Sequence, residues 1–515
     1  MKTRQTLNSS DTNHTNSLKR PLARFKKQVE RLEALKGISE HLSWDMQTYL
    51  PEKGIDPLAW KMKHLEIMQN KILRSNRLQD LLKELKKRVD ELNPEDRVMV
   101  NLVAKAHERV TKVPKELLEE FAEASVRGYS AWELAKESND FSKYKPHLEK
   151  LVSILRSEIE HRGYKDSPYN VLLDDYEPGL TTKQLDHIFS RLKEELIPII
   201  NRIKNSGHKP ETAFLFKKYD HSEQIRISKI ILETMGFDFH EGRLDESMHP
   251  FCSSFGPGDV RLTTFIYPND IIHSLTSATH EGGHGLYDMG VDPKFYKTPL
   301  FDGASCAIHE SQSRLYETIV GQGLPFWNHF FPILKEAFPE QLKDVSIEDF
   351  YRAINKVEPS PIRIEADEVT YQLHVLIRYE IEKDLIEGKL AVEDLPKVWN
   401  QKMQDYLGIT PESDSKGVMQ DVHWSEGSFG YFPSYALGNL YAAQFYNTAK
   451  KEILNLELEI SKGNLIPLKN WLNEKVHKYG SLETPEEIIK RVTGEPLNPD
   501  YFINYVKEKY AKLYP

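Results

Sequence analysis

The chain has 515 residues, of which 39% are hydrophobic, with 69 Lys and Arg against 78 Asp and Glu for a formal charge of -9. That balance describes an ordinary folded chain with a large core. It argues against nucleic acid as a principal partner, because a nucleic-acid binder displaces counterions with a cationic face. No apolar run approaches the ~20 residues that cross a bilayer, residues 1–19 lack the apolar core of a secretory signal, and Cys252 and Cys306 are too few for a disulfide framework. A cytoplasmic protein with no membrane partner is expected.

Residues 1–20, rich in Ser, Thr, Asn and Lys, read as a disordered N-terminal extension. From Pro21 the pattern is helical. Phe25, Val29, Leu32, Leu35 and Ile38 recur at the three- and four-residue spacing of a core-facing stripe, and the period returns over 60–72, 78–92, 96–110, 115–137 and 144–162. Short polar or Pro-containing breaks imply antiparallel hairpins. Pro178-Gly179 closes an irregular stretch, and Thr181-Thr182 can cap a helix running through residue 199. Between about 237 and 267 the chain turns to Gly, Pro and Ser with a β-prone run over 260–266, which predicts a small antiparallel sheet or an extended loop. Helical patterns resume over 270–289, 305–320, 346–354, 366–386, 392–407, 434–461 and 465–478. The fold class is therefore predominantly all-α with a small antiparallel β element, and there is no internal repeat.

Within the 270–289 helix lies Ala278-Thr279-His280-Glu281-Gly282-Gly283-His284. At roughly 100° per residue, His280 and His284 share one face and can hold one metal ion, while Glu281 points beside them, free to act as a base. Neutral imidazoles suit Zn²⁺, and a catalytic site uses three protein ligands so that a fourth position can hold water. A match this short also arises by chance, so its surroundings must carry the argument. Glu310, in Ser305-Cys306-Ala307-Ile308-His309-Glu310-Ser311 of the next predicted helix, is the candidate third ligand; a surface carboxylate is the alternative, and Glu317 is a second candidate. Gly282, Gly283 and Gly285 each cost about 1 kcal/mol of helix propensity relative to Ala, so tertiary packing must hold this helix. Close approach of a neighbouring backbone or substrate is the physical gain.

Together with His249-Pro250-Phe251, Asp259-Val260-Arg261-Leu262-Thr263, Ile362-Arg363-Ile364-Glu365-Ala366-Asp367 and Gly417-Val418-Met419-Gln420-Asp421-Val422-His423-Trp424, these segments resemble the thermostable metallocarboxypeptidases of the carboxypeptidase Taq group, peptidase family M32, over nearly the whole chain after residue 20. The resemblance implies a helical zinc-peptidase fold of the glutamate-ligand type, with Glu310 as the third ligand. It further implies one deep groove between two lobes of a single domain over 21–515, a helical cover over roughly 21–200 and a catalytic part over roughly 201–515. It also implies a homodimer that removes residues one at a time from peptide C-termini with broad specificity.

A carboxypeptidase must hold a free α-carboxylate, for which a guanidinium fork is suited. Arg363 is the candidate, its motif being associated with the substrate terminus; pairing with Glu365 or Asp367 is the structural alternative. Arg261 is a second candidate, with Asp259 as its own local partner. His423 and Tyr431, then Tyr435, are candidates for donors to the developing oxyanion, although each tyrosine can equally be core packing. His249 could contact substrate, and His309 reads as structural. Asp302 or backbone carbonyls are candidates to orient the ligand histidines. The sequence does not choose Zn²⁺ over Co²⁺ or Mn²⁺. An oligoendopeptidase on the same scaffold is the nearest alternative function, and a catalytically silent zinc-stabilised binding protein is a more distant one.

Overall fold

Apolar spacing produces the N-terminal helix much as expected: Ser10–Thr48 buries Phe25, Val29, Leu32 and Leu35, while Ile38 is exposed. The computed structural model describes residues 10–515, with side chains from residue 18 onward. The expected break at Pro21 is absent, since Pro21 lies inside the helix and Leu18 is buried. Residues 10–20 therefore belong to the helix, and the rest of the expected extension, residues 1–9, lies outside the described residues.

Two main apolar cores follow among the described residues, beside a minor cluster of Ala124, Leu151 and Ile154. The smaller packs Phe25 and Val29 against Leu78, Leu82 and Leu85 of Asn76–Lys86 and against Val100 and Val103 of Pro94–Lys112. The larger runs from Ala135 to Tyr514. Helices Phe141–Arg162 and Thr182–Ser206 give Leu148, Leu155, Leu185 and Leu192 to the larger core. Thr181 caps its helix as expected, in a reciprocal capping box with Gln184. Among the described residues no helix is long and apolar enough to cross a membrane.

The β element has three strands, β1 (Gly242–Glu246), β2 (Cys252–Ser254) and β3 (Val260–Thr264), in the order β1-β3-β2. Only β2 and β3 pair in the expected antiparallel sense; β1 runs parallel to β3, Gly242 opposite Val260. The sheet is thus mixed, and β3 lies against the helix Ile271–Gly290 that carries His280 and His284, the motif helix.

Asp270 caps the motif helix by accepting from the His273 N–H. Its glycines each meet a different neighbour. A Cβ on Gly282 would lie 2.4 Å from Leu232, one on Gly285 would lie 2.8 Å from Leu262 of β3, and one on Gly283 would lie 2.5 Å from the Gln312 carbonyl. The last contact is with the backbone of Cys306–Arg314, the ligand helix, which Ser305 caps by accepting from the Ile308 N–H. The predicted helix over 305–320 is α-helical only to Arg314. It continues as a wider π turn, Leu315–Val320, in which the Gly321 N–H donates to the Tyr316 carbonyl at 2.8 Å.

Phe432–Glu452 packs along the ligand helix, and the expected 434–461 helix divides near Asn455, which adopts a left-handed backbone before Leu456–Ser461. Helices Tyr169–Tyr176, His221–Met235, Leu324–Ala337, Pro485–Thr493 and Asp500–Leu513 were not expected from periodicity. In Leu324–Ala337 the apolar stripe is interrupted by Pro325 in the first turn and Pro332 inside the helix.

Gly283→Ala should lower stability by about 1–3 kcal/mol or more, because its clash is with backbone that cannot rotate away. Gly37→Ala, in a helix with nothing within 4 Å of the new methyl, should raise it by about 0.5–1 kcal/mol. Paired denaturant titrations measure both, and a Gly283→Ala chain as stable as its parent would disprove the close-packing account.

Candidate metal centre

The motif helix and ligand helix bring His280, His284 and Glu310 together, with one ligand atom from each lying within 4.8 Å of the others. His280 Nε2 is 3.7 Å and His284 Nε2 3.4 Å from Glu310 Oε2. A tetrahedral zinc with bonds near 2.0–2.1 Å spaces its ligands at roughly 3.3–3.4 Å, so the donor set fits such an ion with little adjustment. Glu310 reaches this position because residue 438 on Phe432–Glu452 is glycine. A Cβ there would stand 2.5 Å from Glu310 Cγ. The Ser313 hydroxyl donates to Glu310 Oε2 at 3.2 Å.

Each ligand imidazole is held by its far nitrogen. Glu317 Oε2 is 2.7 Å from His280 Nδ1, which leaves Nε2 for the metal. Arg314 Nη1 donates to the same carboxylate at 2.6 Å and its Nε donates to Asn439 Oδ1 at 2.9 Å. His284 Nδ1 contacts His309 Nδ1, and His309 Nε2 lies 2.9 Å from Asp288 Oδ1. With Asp288 as the terminal acceptor, one consistent chain has His309 donating to Asp288 and accepting from His284, again freeing Nε2. Asp302, the expected orienting group, instead accepts from its neighbour's N–H at Gly303. Glu317 is thus a second-row carboxylate, and Glu310 is the one facing both histidines.

Charge follows geometry. Burial opposes ionisation of Glu317, yet Arg314 and His280 outweigh it and hold the carboxyl down to about 2. Burial likewise opposes a charged His280, but Glu310 and Glu317 raise it to about 9. Burial, with His309 beside it, lowers His284 to about 4. Glu281, on the same helix, is raised to about 7, chiefly by burial and further by Glu310 and Glu317.

Beyond Glu310 lies an aromatic and cationic cluster. His423 Nε2 is 3.3 Å from the Tyr435 hydroxyl, and the His423 ring stacks at 5.8 Å on Tyr431, which meets Tyr435 edge-on at 5.0 Å. Arg363 lies over Tyr435 at 5.0 Å. Its partner is Asp421, to which Nε and Nη2 donate at 3.0 and 2.9 Å, and its Nη1 donates to Tyr371 at 3.1 Å. Neither Glu365 nor Asp367 pairs with it; Asp367 caps the start of Thr370–Ile386. Arg378 shares Asp421 from the other side. The remaining candidates, Arg261 and His249, lie on and beside the small sheet. Arg261 makes two bonds to Asp259, at 2.7 and 2.8 Å, between the rings of Trp44 and Phe255, so its local alternative is what the structure shows. His249 is exposed in the turn between β1 and β2.

Sequence reasoning missed Asp288, Arg314, Tyr371, Asp421, Arg378 and Glu177. Asp288 was signalled by its place one turn after His284. Glu177 carried no such signal: its carboxyl accepts from the Ala307 N–H at 2.6 Å and the Ser434 hydroxyl at 2.7 Å, tying the ligand helix to Phe432–Glu452, and burial raises it to about 7.

A family model described as carboxypeptidase Taq (M32) metallopeptidase matches residues 24–510. Carboxypeptidase 1 of Bacillus subtilis is 42% identical over 493 residues, 95% of this chain and 98% of that protein. Thermostable carboxypeptidase 1 of Thermus thermophilus is 39% identical, over 96% of this chain and 98% of its own length. Among solved structures, the carboxypeptidase of Pyrococcus furiosus superposes with a TM-score of 0.93 at 36% identity, covering 95% of this chain and 99% of that one. The M32 carboxypeptidase of Deinococcus radiodurans gives 0.92 at 35% identity, covering 96% and 99%.

Two substitutions away from the ligands test the supporting geometry. Glu317→Gln should weaken metal binding by about 10–100-fold, and Gly438→Ala should weaken it comparably by displacing Glu310. Competition with a chromogenic chelator reads both, and unchanged affinity in either would remove that contact from the account.

Proposed function

This chain belongs to the carboxypeptidase Taq (M32) metallopeptidase family and is a metallocarboxypeptidase, and on that premise we propose that zinc, held by His280, His284 and Glu310, is its ion. The carrying observation is the convergence of three ligand atoms whose imidazoles are both fixed from behind, with a buried carboxyl, Glu281, one residue from the first ligand. A zinc ion bound there would supply a Lewis acid and bring water into a range where a carboxylate can deprotonate it. Glu281 takes that proton as the water attacks the last peptide carbonyl and returns it to the departing amine. Its raised affinity for protons suits both halves of the exchange.

Arg363 receives the substrate's terminal carboxylate. His423, which burial lowers to about 4 and so keeps neutral, and Tyr431 donate toward the developing oxyanion, with Tyr435 between them and Arg363. Burial pushes both tyrosine hydroxyls up, so they remain protonated donors. Arg261 and His249 are assigned no part in this site. A homodimer and a cytoplasmic location complete the proposal, supported by the family resemblance and by the two unpaired thiols; light scattering near twice 59.8 kDa tests the dimer.

Glu281→Gln should retain metal while losing about 10²–10⁴ in kcat. A peptide and its C-terminally amidated twin, followed by mass spectrometry with the metal removed and restored, should show stepwise C-terminal loss from the free acid alone, and only with metal. Cleavage of the amide at a similar rate would favour the oligoendopeptidase. Because His280 holds a proton to about 9, metal binding must release it, so affinity should rise with pH from 6 to 8. A pH-independent affinity would contradict that competition.

A further inference from the structure

We infer that Arg378 is a positioning residue for the substrate's terminal carboxylate: it supplies the surplus positive charge that leaves Arg363 attractive to an anion although Arg363 is already paired with Asp421. The inference rests on the reading of Arg363 given above.

The Asp421 carboxylate is divided between two guanidinium groups. Oδ1 accepts from Arg363 Nε and Nη2, at 3.0 and 2.9 Å. Oδ2 accepts from Arg378 Nε at 2.6 Å, and Arg378 Nη2 lies 2.5 Å from the same oxygen. Arg363 is buried, Arg378 completely so, and Asp421 is partly exposed. Two cations and one anion leave an excess of one positive charge.

Among the described residues Asp421 is the one carboxylate bonded to either guanidinium. Arg378 Nη1 goes to the His374 carbonyl at 2.7 Å, and its guanidinium lies over Trp399 at 4.7 Å. Burial and the neighbouring arginines keep His374 neutral, at about 3, and His423 likewise. Glu382, which feels Arg378, accepts from the Tyr169 hydroxyl, the Trp424 ring N–H and the Gly430 N–H, and burial raises it to about 7.

Paired one to one with Asp421, Arg363 would form a neutral group and offer a second carboxylate little attraction. Sharing Asp421 prevents that. The bonds to Asp421 and Tyr371 occupy three of the five Arg363 N–H groups. One on Nη1 and one on Nη2 remain, the fork that a carboxylate accepts.

The test is steady-state kinetics on a free-acid peptide, with metal content and circular dichroism confirming each variant. Arg378→Gln should raise KM on the order of tenfold or more with kcat within about threefold. Arg378→Lys, which keeps the charge and loses the fork, should hold KM near the parent value. Asp421→Asn, which adds to the surplus, should not raise KM. If Asp421 and Arg378 serve only to orient Arg363, all three substitutions raise KM, and that result overturns the inference; should Arg378→Gln fail to fold, the other two decide by sign. Arg363→Gln separates the two readings. If it leaves KM unchanged, the carboxylate-receptor assignment itself fails; if it raises KM while Arg378→Gln does not, only the surplus charge is refuted.

Discussion

Two helices approach one another so closely at Gly283 that a single methyl group would overlap the carbonyl of Gln312, and the centre depends on that approach. The motif helix supplies two imidazoles and the base, the ligand helix supplies the third ligand with Arg314 and His309, and its π continuation supplies Glu317. A wider separation would carry Glu310 away from both histidines and break both supporting contacts at once. The helix-propensity cost of three glycines is offset by packing on three sides, against Leu232, the ligand helix and β3. Gly438 repeats the device on the opposite side of Glu310.

The two ligand histidines are supported unequally. His280 faces a carboxylate whose charge is balanced by Arg314, whereas His284 faces another imidazole, His309, backed by Asp288. A carboxylate partner makes an imidazole more basic and a better donor to a cation than an imidazole partner does. The centre therefore combines one electron-rich and one ordinary nitrogen with a carboxylate, and it does so on a helix that also carries a protonatable base. Close to it lie the guanidinium groups of Arg363 and Arg378 and the rings of Tyr371, Tyr431, Tyr435 and His423.

Much of this was legible in the chain. Periodicity located most helices of the N-terminal half, and the five-residue motif located the two candidate histidine ligands, because both depend on local spacing; Glu310 came from the family resemblance. What escaped depends on docking between distant segments. Asp302 is nearer the motif along the chain than Glu317, yet the crossing of the two helices decides that Glu317 meets His280. Arg363 was weighed against Glu365 and Asp367, its neighbours along the chain, while its real partner came from another conserved-looking segment of the resemblance. Arg261 illustrates the converse: its motif suggested substrate, yet a carboxylate two residues away claims it. The mixed sheet was misjudged for a similar reason, since a β-prone run states that a strand forms and says nothing of which neighbour it joins or in which direction.

Glu310 rests on Gly438, and Glu177 clasps Ala307 and Ser434, so the centre is assembled from segments spread over more than half of the polypeptide. During synthesis the motif helix and the ligand helix emerge well before Phe432–Glu452, and domains fold as their parts become available. The incomplete chain on the ribosome holds the histidines and the base but lacks the surface that fixes Glu310 and the tyrosines. Assembly of the centre is thereby deferred until Phe432–Glu452 has been made.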